Sequence, residues 1–246
     1  MRLTRNYLDQ PLHPGQQVTL PEPVANHLLR VLRLSVGDAL IVFNGDGVDY
    51  HATLISGERR SAQIQVQASR AACRESTLAI TLGQGIARGD KMDWVLQKAT
   101  ELGVAAIAPL RTQWTEVRLS GERGERRQQH WHGVIVAACE QCGRATLPAL
   151  APASELSAWA ASAPQGALRL LLDPDGEQTL ATCSPPLPEQ PVWLVIGPEG
   201  GLSERDIATL HSTGFSGLRL GPRVLRTETA GLAALAAMQA LWGDLG

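Results

Sequence analysis

Between Val192 and Leu232 two short apolar runs, Val192–Ile196 and Leu218–Leu220, each end in a glycine–proline step, Gly197-Pro198 and Gly221-Pro222. Short apolar runs bounded by Gly and Pro read as buried strands. Each step leads through polar residues into a helical pattern. Loops at the carboxyl ends of parallel strands are where open α/β sheets bind ligands. Two such loops in one stretch commit the chain to an α/β domain with its site at those strand ends.

The first loop, Gly197-Pro198-Glu199-Gly200-Gly201, has the glycines of a phosphate cradle. A carboxylate at its centre repels phosphate, and the chain holds no Gly-x-x-x-x-Gly-Lys-[Ser/Thr] run, so a P-loop is not expected. Backbone groups around Glu199 suit a neutral or cationic ligand instead. Ser203, three residues before Asp206, predicts a near-capping box for the next helix. The second loop, Gly221 to Thr229, sets Arg223, Arg226 and Glu228 around Val224 and Leu225. Ala230–Leu241 is apolar nearly all round, which predicts a helix buried in a core or against a partner.

Strands and helices alternate from residue 78 onward, the pattern of a mostly parallel sheet. Leu78–Leu82 predicts a strand, Asp90–Leu102 a helix closed by Gly103, Val104–Leu110 a strand, Glu122–Cys142 a helix closed by Gly143, and Ala167–Leu172 a strand that ends in the turn Asp173-Pro-Asp-Gly176. Residues 1–72 read differently. Asp46-Gly47 between apolar runs is a hairpin signal, and 62–68 alternates strictly, so a small β-barrel is expected there. Before it, Pro23–Leu34 predicts a helix carrying His27, Arg30 and Arg33, and Arg2 and Arg5 stand at the amino end. The domains are therefore 1–72 and 73–246.

Composition decides three further points. The net charge of −2 argues against broad polyanion binding but leaves room for a local basic patch. The basic residues are arginines except Lys91 and Lys98, through either phosphate recognition or genome bias. Aromatics are only 4% of the chain, so RNA contact by the first domain would run through backbone and shape rather than ring stacking. Cys139-x-x-Cys142 has no second cysteine pair at finger spacing and lies in a helical pattern, so no metal site is expected. No run has the length of a membrane span, and the first residues lack an apolar signal core, so a cytoplasmic location is expected.

Ile196-Gly-Pro-Glu-Gly-Gly201 together with Leu220-Gly-Pro-Arg-Val-Leu-Arg-Thr-Glu-Thr-Ala230 resembles the signature of the knotted SPOUT-class methyltransferases, and more narrowly that of the ribosomal small-subunit methyltransferase E family. His27-Leu-Leu-Arg-Val-Leu-Arg33, the stretch Lys91–Val104 and Glu140-Gln141-Cys142-Gly143-Arg144 are similar to further family segments, with Arg88 where the family usually has lysine. The resemblance spans nearly the whole chain. It implies a PUA-like RNA-binding domain before a SPOUT domain, a homodimer, and S-adenosylmethionine-dependent methylation of a uridine at N3 in 16S rRNA of the small ribosomal subunit. It implies that Leu172, Ile196–Gly201 and Leu220–Leu225 hold the cofactor, in particular Leu172, Ile196, Gly197, Pro198, Glu199, Gly200, Gly201, Leu220, Gly221, Val224 and Leu225. RNA contacts are expected from Arg2, Arg5, His27, Arg30, Arg33, Arg88, Lys91, Gln141 and Arg144. For the chemistry, Arg226 is the first choice to stabilise the ring anion, and Glu199 or Glu228 to accept the proton; Glu228 could equally pair with Arg223 or Arg226. A phosphate-using enzyme is opposed by Glu199, and a non-catalytic RNA-binding protein has no use for two glycine loops.

Overall fold

The computed structural model describes residues 3–58, 61–117 and 121–246. The chain divides into two compact units, Met1–Glu75 with Cys139–Leu147, and Ser76–Ala138 with Pro148–Gly246.

The first unit is built from β1 (Arg5–Tyr7), β2 (Gln17–Thr19), α1 (Glu22–Asn26), β3 (Ala39–Phe43), β4 (Val48–Gly57) and β5 (Ala62–Ala71). They form a five-stranded sheet in the order β1-β3-β4-β5-β2, antiparallel except for the β1–β3 pair. Alternation sets the faces: Leu40, Val42, Ala52, Leu54, Ile64 and Val66 share one core with Leu20, Ala25 and Leu28. The register shifts at His51/Ala52 and Leu54/Ser56 bend the two long strands around that core. Gly45 and Gly47, at φ +95° and +84°, make the expected reversal between β3 and β4.

Two sequence expectations differ here. The helix over Pro23–Leu34 is instead α1 followed by a π-helical turn, His27–Val31, in which Leu32 N–H reaches His27 O at 3.0 Å. It stops at Arg33, whose backbone is left-handed at φ +57°. The unit boundary also differs from a single division at 72/73, because 139–147 belongs to the first unit. Polar ties account for that: Tyr7 N–H donates to Glu140 Oε1 at 2.9 Å, Arg5 to Arg144 O at 3.1 Å, and Arg74 to Gly143 O at 2.8 Å. A continuous helical pattern through Cys142 gave no sign of this.

The second unit runs β6 (Ile80–Gly85), α2 (Lys91–Glu101), β7 (Ala106–Arg111), α3 (Gly121–Cys142, whose last turn belongs to the first unit), β8 (Ala149–Leu150), β9 (Ser154–Glu155), α4 (Leu156–Ala161), β10 (Leu168–Leu172), β11 (Val192–Ile196), α5 (Glu204–Ser212), β12 (Ser216–Leu218) and α6 (Thr227–Trp242). Its sheet has the order β12-β10-β11-β6-β7-β8, with β9 beside β7, and every pairing is parallel. The order is not sequential, so β10, β11 and β12 deliver their following loops side by side at one end. β12 stops at Leu218 rather than Leu220, because Arg219 N–H turns to Gln178 O at 2.8 Å. No helix among the described residues is long and apolar enough to cross a membrane.

Candidate active site

The loops after β10, β11 and β12, with the start of α6, enclose a cavity of about 590 Å³. That lies within the size range of small-molecule sites. Leu171, Leu172, Ile196, Leu218, Leu220 and Leu225 make its apolar walls, and Asp173, Asp175, Glu199 and Glu228 supply carboxylates.

The loop after β11 is pinned from several sides. Gly201 N–H closes a turn on Pro198 O at 2.9 Å. A Cβ on Gly197 would lie 2.6 Å from the Gly201 carbonyl carbon, so only glycine allows this approach. Thr227, the first residue of α6, donates from its hydroxyl to Gly197 O at 2.6 Å and accepts from Gln84 Nε2 at 2.9 Å. Both side chains are buried, and the bonds tie β6, the loop and α6 together. Beyond the loop the capping box of α5 is complete: Asp206 N–H donates to Ser203 Oγ, and Asp206 Oδ2 accepts from Ser203 N–H, each at 3.1 Å.

Glu199 is held in the same way. Its Oε1 accepts the Arg88 backbone N–H at 3.0 Å and lies 3.2 Å from Lys91 Nζ. Burial pushes this carboxyl up, but hydrogen bonds from its own N–H, from Arg88 N–H and from Lys91, with the ammonium charge, outweigh it and hold the group below its ordinary value. A carboxylate stabilised in its charged form is a weaker proton acceptor, and these bonds make Glu199 an anchor for the loop. Lys91 also stands 3.7 Å from Glu228 Oε2. That oxygen is buried and makes no hydrogen bond, and the ion-pair partner of Glu228 is Lys91, not Arg223 or Arg226. Arg226, at the N-cap of α6, and Arg223 are exposed on the cavity wall.

Of the expected cofactor residues, Leu172, Ile196, Gly197, Pro198, Glu199, Gly201, Leu220, Gly221, Val224 and Leu225 line the cavity. Gly200 does not: it faces Trp114, whose Cβ would stand 3.0 Å from a Cβ placed there. Asp173 and Asp175 as lining groups, and Gln84 and Thr227 as braces, were not legible in the sequence. Asp173 and Asp175 were visible only as a turn. Thr227 stood inside the second motif without an assigned role, and Gln84 was a polar residue at the end of an apolar strand.

The expected RNA contacts divide sharply. His27, Arg30, Arg33 and Gln141 are exposed in the first unit, and Arg88 is exposed in the second, where it pairs with Glu116. Lys91 is drawn into the cavity wall between two carboxylates. Arg5 and Arg144 are corrected outright. Arg5 is 7% exposed, donates to Asp49 Oδ1 at 2.6 Å and lies over the Phe43 ring. Arg144 is 5% exposed and donates to Glu75 Oε2 from Nε at 2.9 Å. These guanidinium groups are spent on structure. Arg2 lies outside the described residues. No group of three His, Cys, Asp or Glu side chains among the described residues could hold a metal ion.

The family described as the RNA methyltransferase domain matches residues 74–239, and the one described as the RNA methyltransferase PUA domain matches residues 20–67. Ribosomal RNA small subunit methyltransferase E of Buchnera aphidicola from Schizaphis graminum is 30% identical over 99% of this chain and 98% of its own. The Bacillus subtilis protein of the same name is 28% identical over 87% and 86%. The crystal structure of a ribosomal RNA small subunit methyltransferase E from Neisseria gonorrhoeae bound to S-adenosyl methionine superposes with a TM-score of 0.95 at 38% identity, covering all of both chains.

Proposed function

The chain belongs to the ribosomal small-subunit methyltransferase E family of SPOUT RNA methyltransferases, and from that premise we propose that it transfers a methyl group from S-adenosylmethionine to N3 of a uridine in 16S rRNA. The observation that carries the reading is the cavity itself: three strand-end loops enclose about 590 Å³ with aliphatic walls and four carboxylates. Such walls suit a flat heterocycle, and four carboxylates against the three cations Lys91, Arg223 and Arg226 leave a lining that favours a cation over a phosphate. When bound, S-adenosylmethionine supplies a methyl group made electrophilic by its sulfonium. The apolar side chains of Leu172, Ile196, Leu220 and Leu225, with the backbone of 197–201 and 221–225, would hold it.

This chain's own residues have two tasks. They must set the uracil N3 in line with the methyl group, which is catalysis by positioning. They must also manage the N3 proton, since neutral N3 has no free lone pair to attack with. Glu228 has a buried oxygen that makes no hydrogen bond, and it is our choice for the proton acceptor. Arg226, exposed on the wall, stabilises the ring anion as it forms. His27, Arg30 and Arg33 of the first unit contact the RNA. The exposed apolar side chains Val224 and Leu241, 80% and 60% exposed, support a homodimer that covers them, and light scattering that finds only monomer at working concentration would remove that part. The protein acts where its substrate is, in the cytoplasm.

The test is methyl transfer from labelled S-adenosylmethionine to small-subunit particles lacking the modification, with mass spectrometry of the rRNA. One N3-methyluridine is the expected product. Cofactor binding without transfer to these particles would mean that the target is another RNA.

A further inference from the structure

A uridine that reacts at N3 must leave its stack and be held by its faces. No aromatic side chain lines the cavity among the described residues. Trp114, in the loop after β7, is an exposed aromatic that packs against the loop after β11. Its Cβ and Cγ stand 3.0 and 3.6 Å from the position of a Cβ on Gly200, between the lining residues Glu199 and Gly201. The loop that carries it is tied down on both sides. Gln113 N–H donates to Asp206 Oδ2 at 3.2 Å, Thr112 N–H donates to Thr115 Oγ1 at 2.9 Å, and Glu116 pairs with Arg88. Yet Trp114 is 51% exposed. A braced backbone thus holds a half-solvated indole against Gly200, one residue from the lining groups Glu199 and Gly201, and the missing side chain of Gly200 lets it come so near.

We infer that Trp114 is a substrate-positioning residue: its indole stacks on the target uracil or its immediate neighbour and holds the base at the cavity mouth. The inference rests on the proposed RNA substrate and adds a residue to its recognition. Base–aromatic stacking tolerates any base, so Trp114 contributes hold rather than sequence selection, which falls to other groups. Trp94 provides an internal control. It is 53% exposed, but the ammonium of Lys98 lies 5.3 Å from its ring centroid, so one face is already occupied.

The experiment compares Trp114→Ala, Trp114→Phe and Trp94→Ala in steady-state methyl transfer to unmodified small-subunit particles, with cofactor affinity measured by calorimetry. Trp114→Ala is expected to lower kcat/KM for the particles by about 10- to 100-fold, chiefly through KM, as loss of one stacking contact implies. Cofactor affinity should stay within about twofold, Trp114→Phe should recover most of the loss, and Trp94→Ala should behave as the parent protein. A Trp114→Ala protein as active as the parent, a phenylalanine variant as impaired as the alanine one, or an equal loss of cofactor affinity would each overturn the inference. If the parent protein fails to methylate the particles, the substrate reading falls by itself. Trp114 is then judged by fluorescence: quenching by a uridine-rich single-stranded RNA that is absent in Trp114→Phe supports it, and no such quenching overturns it.

Discussion

The two glycine–proline loops look alike in sequence and are built in opposite ways. The loop after β11 is braced at its turn, at Gly197 O and at the Glu199 carboxylate. In the loop after β12, residues 221–224 are exposed, Val224 to 80%, and no backbone hydrogen bond involves 221–225 among the described residues. A braced loop can fix the shape of a pocket, because its groups need no reordering when a ligand arrives. An open loop can close on what enters. The difference assigns shape to the first loop and response to the second, and substitutions in each should separate the two.

The largest effect is expected in the open loop. Arg226→Ala should reduce kcat by about 10²- to 10³-fold, the usual loss when one group that stabilises developing charge is removed. Cofactor affinity should change by less than about threefold, since Arg226 braces nothing: its side chain is exposed, and its backbone carbonyl keeps the first bonds of α6 from Thr229 and Ala230. Single-turnover rates and calorimetry would separate these quantities. Equal losses in both would move Arg226 to cofactor binding and erase the contrast between the loops.

A smaller effect, in stability rather than rate, is expected in the braced loop. Thr227→Val keeps the shape of the side chain but removes the hydroxyl between Gly197 O and Gln84 Nε2. Leaving a buried carbonyl without its donor costs about 1–3 kcal/mol, which urea denaturation would read as a lower midpoint at unchanged slope. Cofactor affinity should fall with it, because the same bond sets the height of the loop. Unchanged stability would show that water replaces the hydroxyl and that the loop is less braced than its bonds imply.

The same contrast explains what could be read from the chain beforehand. Glycine, proline and apolar runs mark strand ends, so the sheet, the two loops and most of the lining residues were legible, as was the capping box at Ser203. Contacts made across long sequence separation were not. Arg5 and Arg144 looked like surface arginines because nothing local shows that Asp49 and Glu75 would take them. Burial pushes the Asp49 carboxyl up, but the hydrogen bonds and charges of Arg74 and Arg5 outweigh it and hold it below its ordinary value, as expected of a structural ion pair. The π-helical turn at His27 escaped for another reason: its sequence satisfies an α-helical period equally well, and the choice lies in how the chain must end at Arg33. Glu199 was read from its charge alone, whereas its partners decide its chemistry.

That last residue gives the smallest and most specific test. The Glu199 carboxyl titrates below its ordinary value in the folded protein, so the folded state favours its charged form. The stabilisation is fully present above the ordinary carboxylate value and is lost as pH falls through the lower folded value. Glu199→Gln removes this titration while keeping an oxygen for the Arg88 N–H. The variant should melt slightly below the parent protein near neutral pH, by a degree or so for a partly exposed pair. As pH falls into the acid range the two melting curves should converge, because the parent then also loses its charge. If the gap widened toward acid instead, Glu199 would be protonating more easily than an unpaired carboxylate. It would then be fit to carry a proton, and its place would be in the chemistry rather than in the frame of the loop.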